Sequence, residues 1–241
     1  MTLNLNRANL SIDPLNAAIN ERIEQASLIK HANDVPRDYL GASLIGETCL
    51  RKIQFEWLTS SKFSARVRSI FARGHYFEAE SRQQLLDAGF GFAPTEALGF
   101  IVADSPIAGH ADGIITFVPD DIDLATPALW ECKGLNAKNF RAVERDGLTQ
   151  VFPRYAGQIA IYQRFLDVRN PALMTVVNSD TCERLHFTVE FDARLAQETI
   201  DRAVDVLRAT RAGELLARLD PELKDFRCVM CSHRERCVRH E

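Results

Sequence analysis

The sequence predicts an α/β fold, a mixed central β-sheet flanked by helices, carried by a single domain. Three observations lead there. Along the 241 residues the apolar spacing changes from helical to alternating and back. The resulting order is helices, three strands, helices, two strands, helix. The composition, 46% hydrophobic and 26% charged, is that of a globular chain able to bury one sizeable core. No proline- or glycine-rich linker divides it, and no repeat or low-complexity tract interrupts it.

Each element has its own signal. Asp13-Pro14 is a helix start, an N-cap followed by proline in the first turn. Leu15, Ile19, Ile23 and Ala26 then recur at helical spacing. Ser43 is placed to cap a second helix over 44–58. A third runs from about 65 to 87, with Val67, Ile70, Phe71, Phe77, Leu85 and Leu86 as its apolar face and Gly89 as its stop. Strand alternation follows over 99–104, 107–118 and 128–134, with Pro106 and the turn at 118–127 between them. A short helix over 136–147 and a stronger one over 153–168 precede two more strands, 172–179 and 184–191. A long helix from 192 to 213 leads into a short polar tail rich in cysteine, expected to fold back onto the domain.

Bulk properties exclude some classes. The net charge of −4 does not advertise a nucleic-acid binder, although a carboxylate-lined metal site would itself lower the total. Basic clusters at Arg51–Lys52, Lys62–Arg66–Arg68 and Lys133–Lys138–Arg141 read first as solvated faces. No apolar run is long enough for a membrane span, and the first residues lack the order of a signal peptide, so a cytoplasmic location is expected. No GxxxxGK[ST] phosphate loop is present, so any unwinding of a duplex would need a partner. In that compartment the six cysteines point to metal or cluster ligation rather than to disulfides.

The segment from 109 to 134 carries the chemistry. Strand alternation puts His110 and Asp112 on one face of one strand and Glu131 and Lys133 on one face of the next. If the two strands pair, Asp112, Glu131 and Lys133 converge. Two carboxylates at one point hold a proton unless a cation neutralises them. Mg²⁺ or Mn²⁺ suits carboxylate oxygens, and a lysine beside the ion suits metal-assisted attack of water on a phosphodiester. The same three residues taken alone also read as a buried structural ion pair.

Asp112 followed by Glu131-Cys132-Lys133 resembles the D…(D/E)xK core of the PD-(D/E)xK nucleases, without the proline of that name. Gly74-His75 is similar to the helical histidine of their RecB-like branch, and Gln158 with Tyr162 to its QxxxY motif. Cys49 together with Cys228, Cys231 and Cys237 resembles the iron–sulfur staple of branch members such as the CRISPR-associated adaptation nucleases and the AddB subunits of recombination nucleases. The six motifs fall in the family's order, from about 40 to 237.

The resemblance implies a restriction-endonuclease-like core. It implies Mg²⁺ or Mn²⁺ held by His75, Asp112, Glu131 and the Cys132 backbone carbonyl, with His110 a weaker candidate ligand. It implies Lys133 orienting water and steadying the transition state, and Gln158 and Tyr162 positioning substrate. Arg51, His110 and Lys138 are candidate DNA contacts. The four cysteines would hold a 4Fe-4S cluster. Four thiolates suit tetrahedral zinc equally, and His233 and His240 offer nitrogen ligands. Cys182 is a bystander at a turn.

On this reading 1–241 is one nuclease domain: a helical extension over 1–40, a helical region with Cys49 and His75 over 41–90, the catalytic core over 91–191, and the C-terminal helix and cysteine cluster over 192–241. The implied activity is metal-dependent DNA exonuclease, processing single-stranded or duplex ends in recombination, phage DNA metabolism or CRISPR adaptation, with a recombination or CRISPR protein as the implied partner. The alternatives are a non-catalytic iron–sulfur or zinc DNA-binding subunit and, further off, a redox or iron sensor.

Overall fold

The computed structural model describes residues 13–34, 38–58, 63–102 and 106–239. The chain forms two compact units, Met1–Pro36 with Ser61–Arg73, and Arg37–Ser60 with Gly74–Glu241. His240 and Lys62, named above, lie outside the described residues.

In the first unit α1 (Pro14–Lys30) starts as the sequence predicts, with the Asp13 carboxylate accepting from the Leu15 N–H at 2.8 Å. Its apolar positions do not form a buried face. Leu15, Ile19 and Ile23 are exposed, and no residue of the helix is buried. The unit is joined by polar and aromatic contacts instead. Glu24 accepts from the Ala65 N–H at 2.8 Å, Arg68 pairs with Asp34 at 3.2 Å, and Phe63 meets Phe71 edge to face.

The second unit opens with β1 (Leu40–Gly41), α2 (Ala42–Ile45) and α3 (Leu50–Leu58). It takes α4 (Ala65–Asp87) from Gly74 onward. Next come β2 (Gly91–Phe92), a 3-10 turn, β3 (Gly99–Ile101), β4 (Ile107–His110), β5 (Gly113–Phe117) and β6 (Ala128–Leu135). Helices α5 (Ala137–Asp146), α6 (Leu148–Val151) and α7 (Pro153–Phe165) lead to the hairpin of β7 (Ala172–Asn178) and β8 (Arg184–Val189). The unit ends with α8 (Ala193–Arg211), α9 (Phe226–Val229) and α10 (Arg234–Arg239). Among the described residues no helix is long and apolar enough to cross a membrane.

The strands form two mixed sheets. The larger has the order β2-β5-β6-β7-β8, with β6 and β7 parallel and the other pairs antiparallel. The smaller has the order β1-β4-β3. Alternation along β6 and β7 divides the core. Leu129, Leu135, Met174 and Val176 pack with the apolar faces of α5, α7 and α8. Trp130, Cys132 and Val177 pack with Phe77 and Leu85 of α4. Trp130 donates its indole N–H to Thr175 Oγ1 at 2.9 Å, so the buried ring leaves no orphan donor. This is the mixed α/β core flanked by helices that the sequence predicts.

Two expectations are corrected. The helix over 44–58 is interrupted at Gly46, and Ser43 lies inside α2, whose N-cap is Gly41 with no side-chain hydrogen bond. Packing requires glycine at the break: a Cβ at Gly46 would lie 2.2 Å from the Arg154 carbonyl oxygen, so α2 and α7 approach through a position only glycine fills. Gly46→Ala is expected to cost about 1–3 kcal/mol, read as a lower urea midpoint at unchanged slope.

The second correction concerns 107–118. It is two strands, β4 and β5, belonging to different sheets, with Ala111 and Asp112 between them. Asp112 therefore sits at a bend, and His110 and Asp112 do not share a strand face.

Candidate active site

Asp112, Glu131 and Lys133 do converge. β5 pairs with β6 only as far as Gly113 opposite Trp130, so the Cys132 N–H beyond that point has lost its ladder partner. The Asp112 carboxylate takes its place, accepting from that N–H at 2.8 Å. Glu131 and Lys133 stand two residues apart on the face of β6 turned to α7, and the Lys133 ammonium donates to Glu131 Oε1. It also donates to the Cys132 carbonyl at 3.2 Å and lies 3.9 Å from Asp112 Oδ2. One ammonium thus touches both carboxylates and the main-chain carbonyl named from the sequence.

Helix α7 supplies the support. Gln158 Nε2 donates to Glu131 Oε1 at 2.9 Å, and the Tyr162 hydroxyl, 3.3 Å from the same amide nitrogen, donates to the His110 carbonyl at 2.9 Å. Both side chains are buried. Their polar atoms are taken up by Glu131 and by the end of β4, and so they fix the acid relative to the bend that carries Asp112.

The electrostatics are those of a carboxylate held out of water. Glu131 is 1% exposed. Burial first, then the Asp112 charge, push its pKa up from 4.5 to about 8. Burial alone would lower the Lys133 ammonium, but Glu131 and Asp112 outweigh it and hold its pKa above the usual range. Burial, then Glu131, also raises the Tyr162 hydroxyl. Glu131 Oε2 is buried without a hydrogen-bond partner. An orphaned oxygen on Glu131, with the Asp112 carboxylate and the Cys132 carbonyl gathered around the same lysine, is a donor set that suits Mg²⁺ or Mn²⁺, which commonly take one or two carboxylates plus substrate phosphate. Among the described residues, no group of three or more His, Cys, Asp or Glu side chains is arranged to hold a metal ion.

The remaining candidates are placed as follows. His75 on α4 is 82% exposed and lies 3.5 Å from Glu78 Oε2. His110 is exposed at the end of β4. Lys138 is exposed on α5. Arg51 is buried, donating to the Leu216 carbonyl at 2.5 Å and lying 3.8 Å from Cys237 Sγ, so it faces the C-terminal tail.

Three neighbours escaped the sequence reading. Burial, followed by the Asp112 charge, raises the pKa of Glu78, which puts a third acid at the edge of the site. The Tyr155 ring lies 5.5 Å from the Lys133 ammonium, and Arg154 stacks on that ring and donates to its hydroxyl at 2.8 Å. The signal for Tyr155 was its spacing from Gln158 and Tyr162, which share its helix face. Glu78 stands one turn beyond His75.

The cysteine tail packs on α3, which follows Cys49. Arg236 lies over the Phe55 ring at 4.3 Å, His233 packs on the same ring, and Arg218 donates to the Cys237 carbonyl at 2.9 Å. Cys231 Sγ accepts from the His233 N–H at 3.4 Å. Burial, helped by Cys49 nearby, raises the Cys228 thiol. Cys132 Sγ turns away from the carboxylates into the α4 side of the sheet, where burial pushes it up to about 12. Cys182 is exposed in the β7–β8 turn with φ 63°.

The architecture is that of the restriction-endonuclease-like α/β class, with two carboxylates and a lysine gathered at the end of its β5–β6 pair. No family model and no curated protein matches the sequence. Among solved structures, the chain is similar to LHK-Exo, an alkaline exonuclease from Laribacter hongkongensis, at a TM-score of 0.52 and 15% identity over 80% of this chain and 93% of that one. It also aligns with the complex of LHK-Exo with dAMP (TM-score 0.48, 16% identity, the same coverage) and with the crystal structure of SSO0001 (0.48, 13%, 90% of this chain and 94% of that one). The chain shares its fold with an alkaline exonuclease.

Proposed function

We propose that this protein is a metal-dependent deoxyribonuclease acting on DNA ends. The observation that carries the reading is the convergence of Asp112, Glu131 and Lys133, with one buried carboxylate oxygen left unsatisfied. Asp112, Glu131 and the Cys132 carbonyl would hold Mg²⁺ or Mn²⁺, whose charge would neutralise and polarise the scissile phosphodiester.

The chain's own groups would do the rest. Gln158, anchored through Tyr162 to β4, keeps Glu131 Oε1 fixed and its other oxygen turned to the ligand. Lys133 orients the attacking water and offsets negative charge that develops on the phosphate. Arg154, exposed beside Tyr155, is placed to meet a neighbouring backbone phosphate. Phosphate contacts of this kind make substrate binding salt-sensitive.

The packing of the tail on α3 supports Cys49, Cys228, Cys231 and Cys237 acting together, with a 4Fe-4S cluster as the ligand and zinc as the alternative. Such a group would tie the tail to α3, and losing a ligand should then destabilise the unit.

The test is degradation of end-labelled single- and double-stranded DNA with and without Mn²⁺ or Mg²⁺. Asp112→Asn is the informative variant, because it keeps an oxygen for the Cys132 N–H while removing the charge. We expect metal-dependent loss of label by the wild type and a drop of at least ~10²-fold in the variant. Equal activity in the two proteins would refute the reading. DNA binding without cleavage by both would favour a binding subunit.

A further inference from the structure

The larger sheet ends in an open edge. β8 pairs with β7 through six consecutive residues, from Ala172 opposite Val189 to Val177 opposite Arg184, in unbroken register. Among the described residues no strand lies on its other side. Soluble proteins blunt such edges, because unpaired backbone groups template association. The other sheet ends here are blunted: β2 has two residues and its register shifts between Gly91 and Phe92, β1 has two residues, and β3 has three. β8 carries no proline, bulge or lysine.

The strand is complementary to itself. Read as 184–190, it runs Arg-Leu-His-Phe-Thr-Val-Glu. A two-fold axis through Phe187 would set Arg184 against Glu190, Leu185 against Val189, and His186 against Thr188. Each opposed pair has the same parity and so lies on one face of the joined sheet, as antiparallel pairing requires. The charged ends fit: Arg184 is half-buried with its Nη1 donating to the Cys182 carbonyl at 3.3 Å, and Glu190 is exposed. On the other face Leu185, Phe187 and Val189 line a cleft of about 590 Å³, walled by Val143, Leu148 and Leu195. A second Phe187 arriving at the axis would cover the open side of that cleft.

We propose that β8 is the seam of a homodimer, in which two copies join their larger sheets edge to edge about a two-fold axis through Phe187. Such an interface is isologous, so every contact occurs twice.

Charge reversal on the full chain tests it. Sedimentation of the wild type should give twice the 27.1 kDa mass of the chain. Arg184→Glu and Glu190→Arg each place like charges opposite one another twice, and each should weaken self-association by about 10-fold or more. The double variant restores both pairs in reverse and should associate within about threefold of the wild type. As a second readout on the unaltered protein, amide exchange over 184–190 should slow as protein concentration rises. A wild type that stays monomeric, single reversals without effect, a double variant that stays weakened, or exchange independent of concentration would each overturn the proposal.

Discussion

Lys133→Ala should lower metal-dependent DNA degradation by about 10²–10³-fold, the scale on which one preorganised electrostatic group contributes to a transition state. DNA binding, measured by fluorescence anisotropy at fixed salt, should change little, because the ammonium is taken up by Glu131, the Cys132 carbonyl and Asp112 rather than offered to solvent. The variant should also be less stable without metal, since Asp112 and Glu131 would lose the one ammonium that lies against both. Full activity in Lys133→Ala would remove this residue from the chemistry and leave the triad as a structural ion pair.

Metal-free stability should fall as pH rises. The Glu131 carboxyl has its pKa raised in the fold from 4.5 to about 8. Folding therefore takes up a proton, and the associated stability is fully present below about pH 4.5 and lost as pH climbs through about 8. Lys133, itself raised, stays charged throughout that window and does not reverse the trend. In chelator, Tm should drop by roughly 4–10 °C across this range, the equivalent of a few kcal/mol for a chain this size.

A divalent cation competes with that proton, so the thermal shift on adding Mn²⁺ should be larger above pH 8 than near pH 6. Glu131→Gln should flatten both dependences. A wild-type Tm that is flat with pH in chelator, or a Mn²⁺ shift that Glu131→Gln retains in full, would show that this carboxyl is not the group responsible.

Much of this site was legible because strand alternation has a strict period. Once 128–134 was read as a strand, Glu131 and Lys133 had to share a face, and only the pairing of β5 with β6 was needed to bring Asp112 to them. Helical spacing likewise put Gln158 and Tyr162 together. What it did not say is that both would be buried, with their polar ends spent on Glu131 and a main-chain carbonyl. The split of 107–118 was marked only by the Asp112-Gly113 dipeptide, a turn signal that the alternation running on either side of it masked. The break after Ile45 was not legible: the reason for Gly46 lies in Arg154, more than a hundred residues away. The apolar spacing of α1 predicted burial that the described residues do not supply.

The bend between β4 and β5 has a consequence for how the protein can diverge. Connecting segments commonly accept extra residues, because they hang free of the structure on either side. Here the chain has only Ala111 and Asp112 in which to leave one sheet and enter the other, and Asp112 must reach the Cys132 N–H from that spot. Adding one residue would displace the carboxylate from the N–H or slip β5 by one place along β6. Whatever other connections tolerate in descendants of this chain, the two residues of this bend have a fixed length.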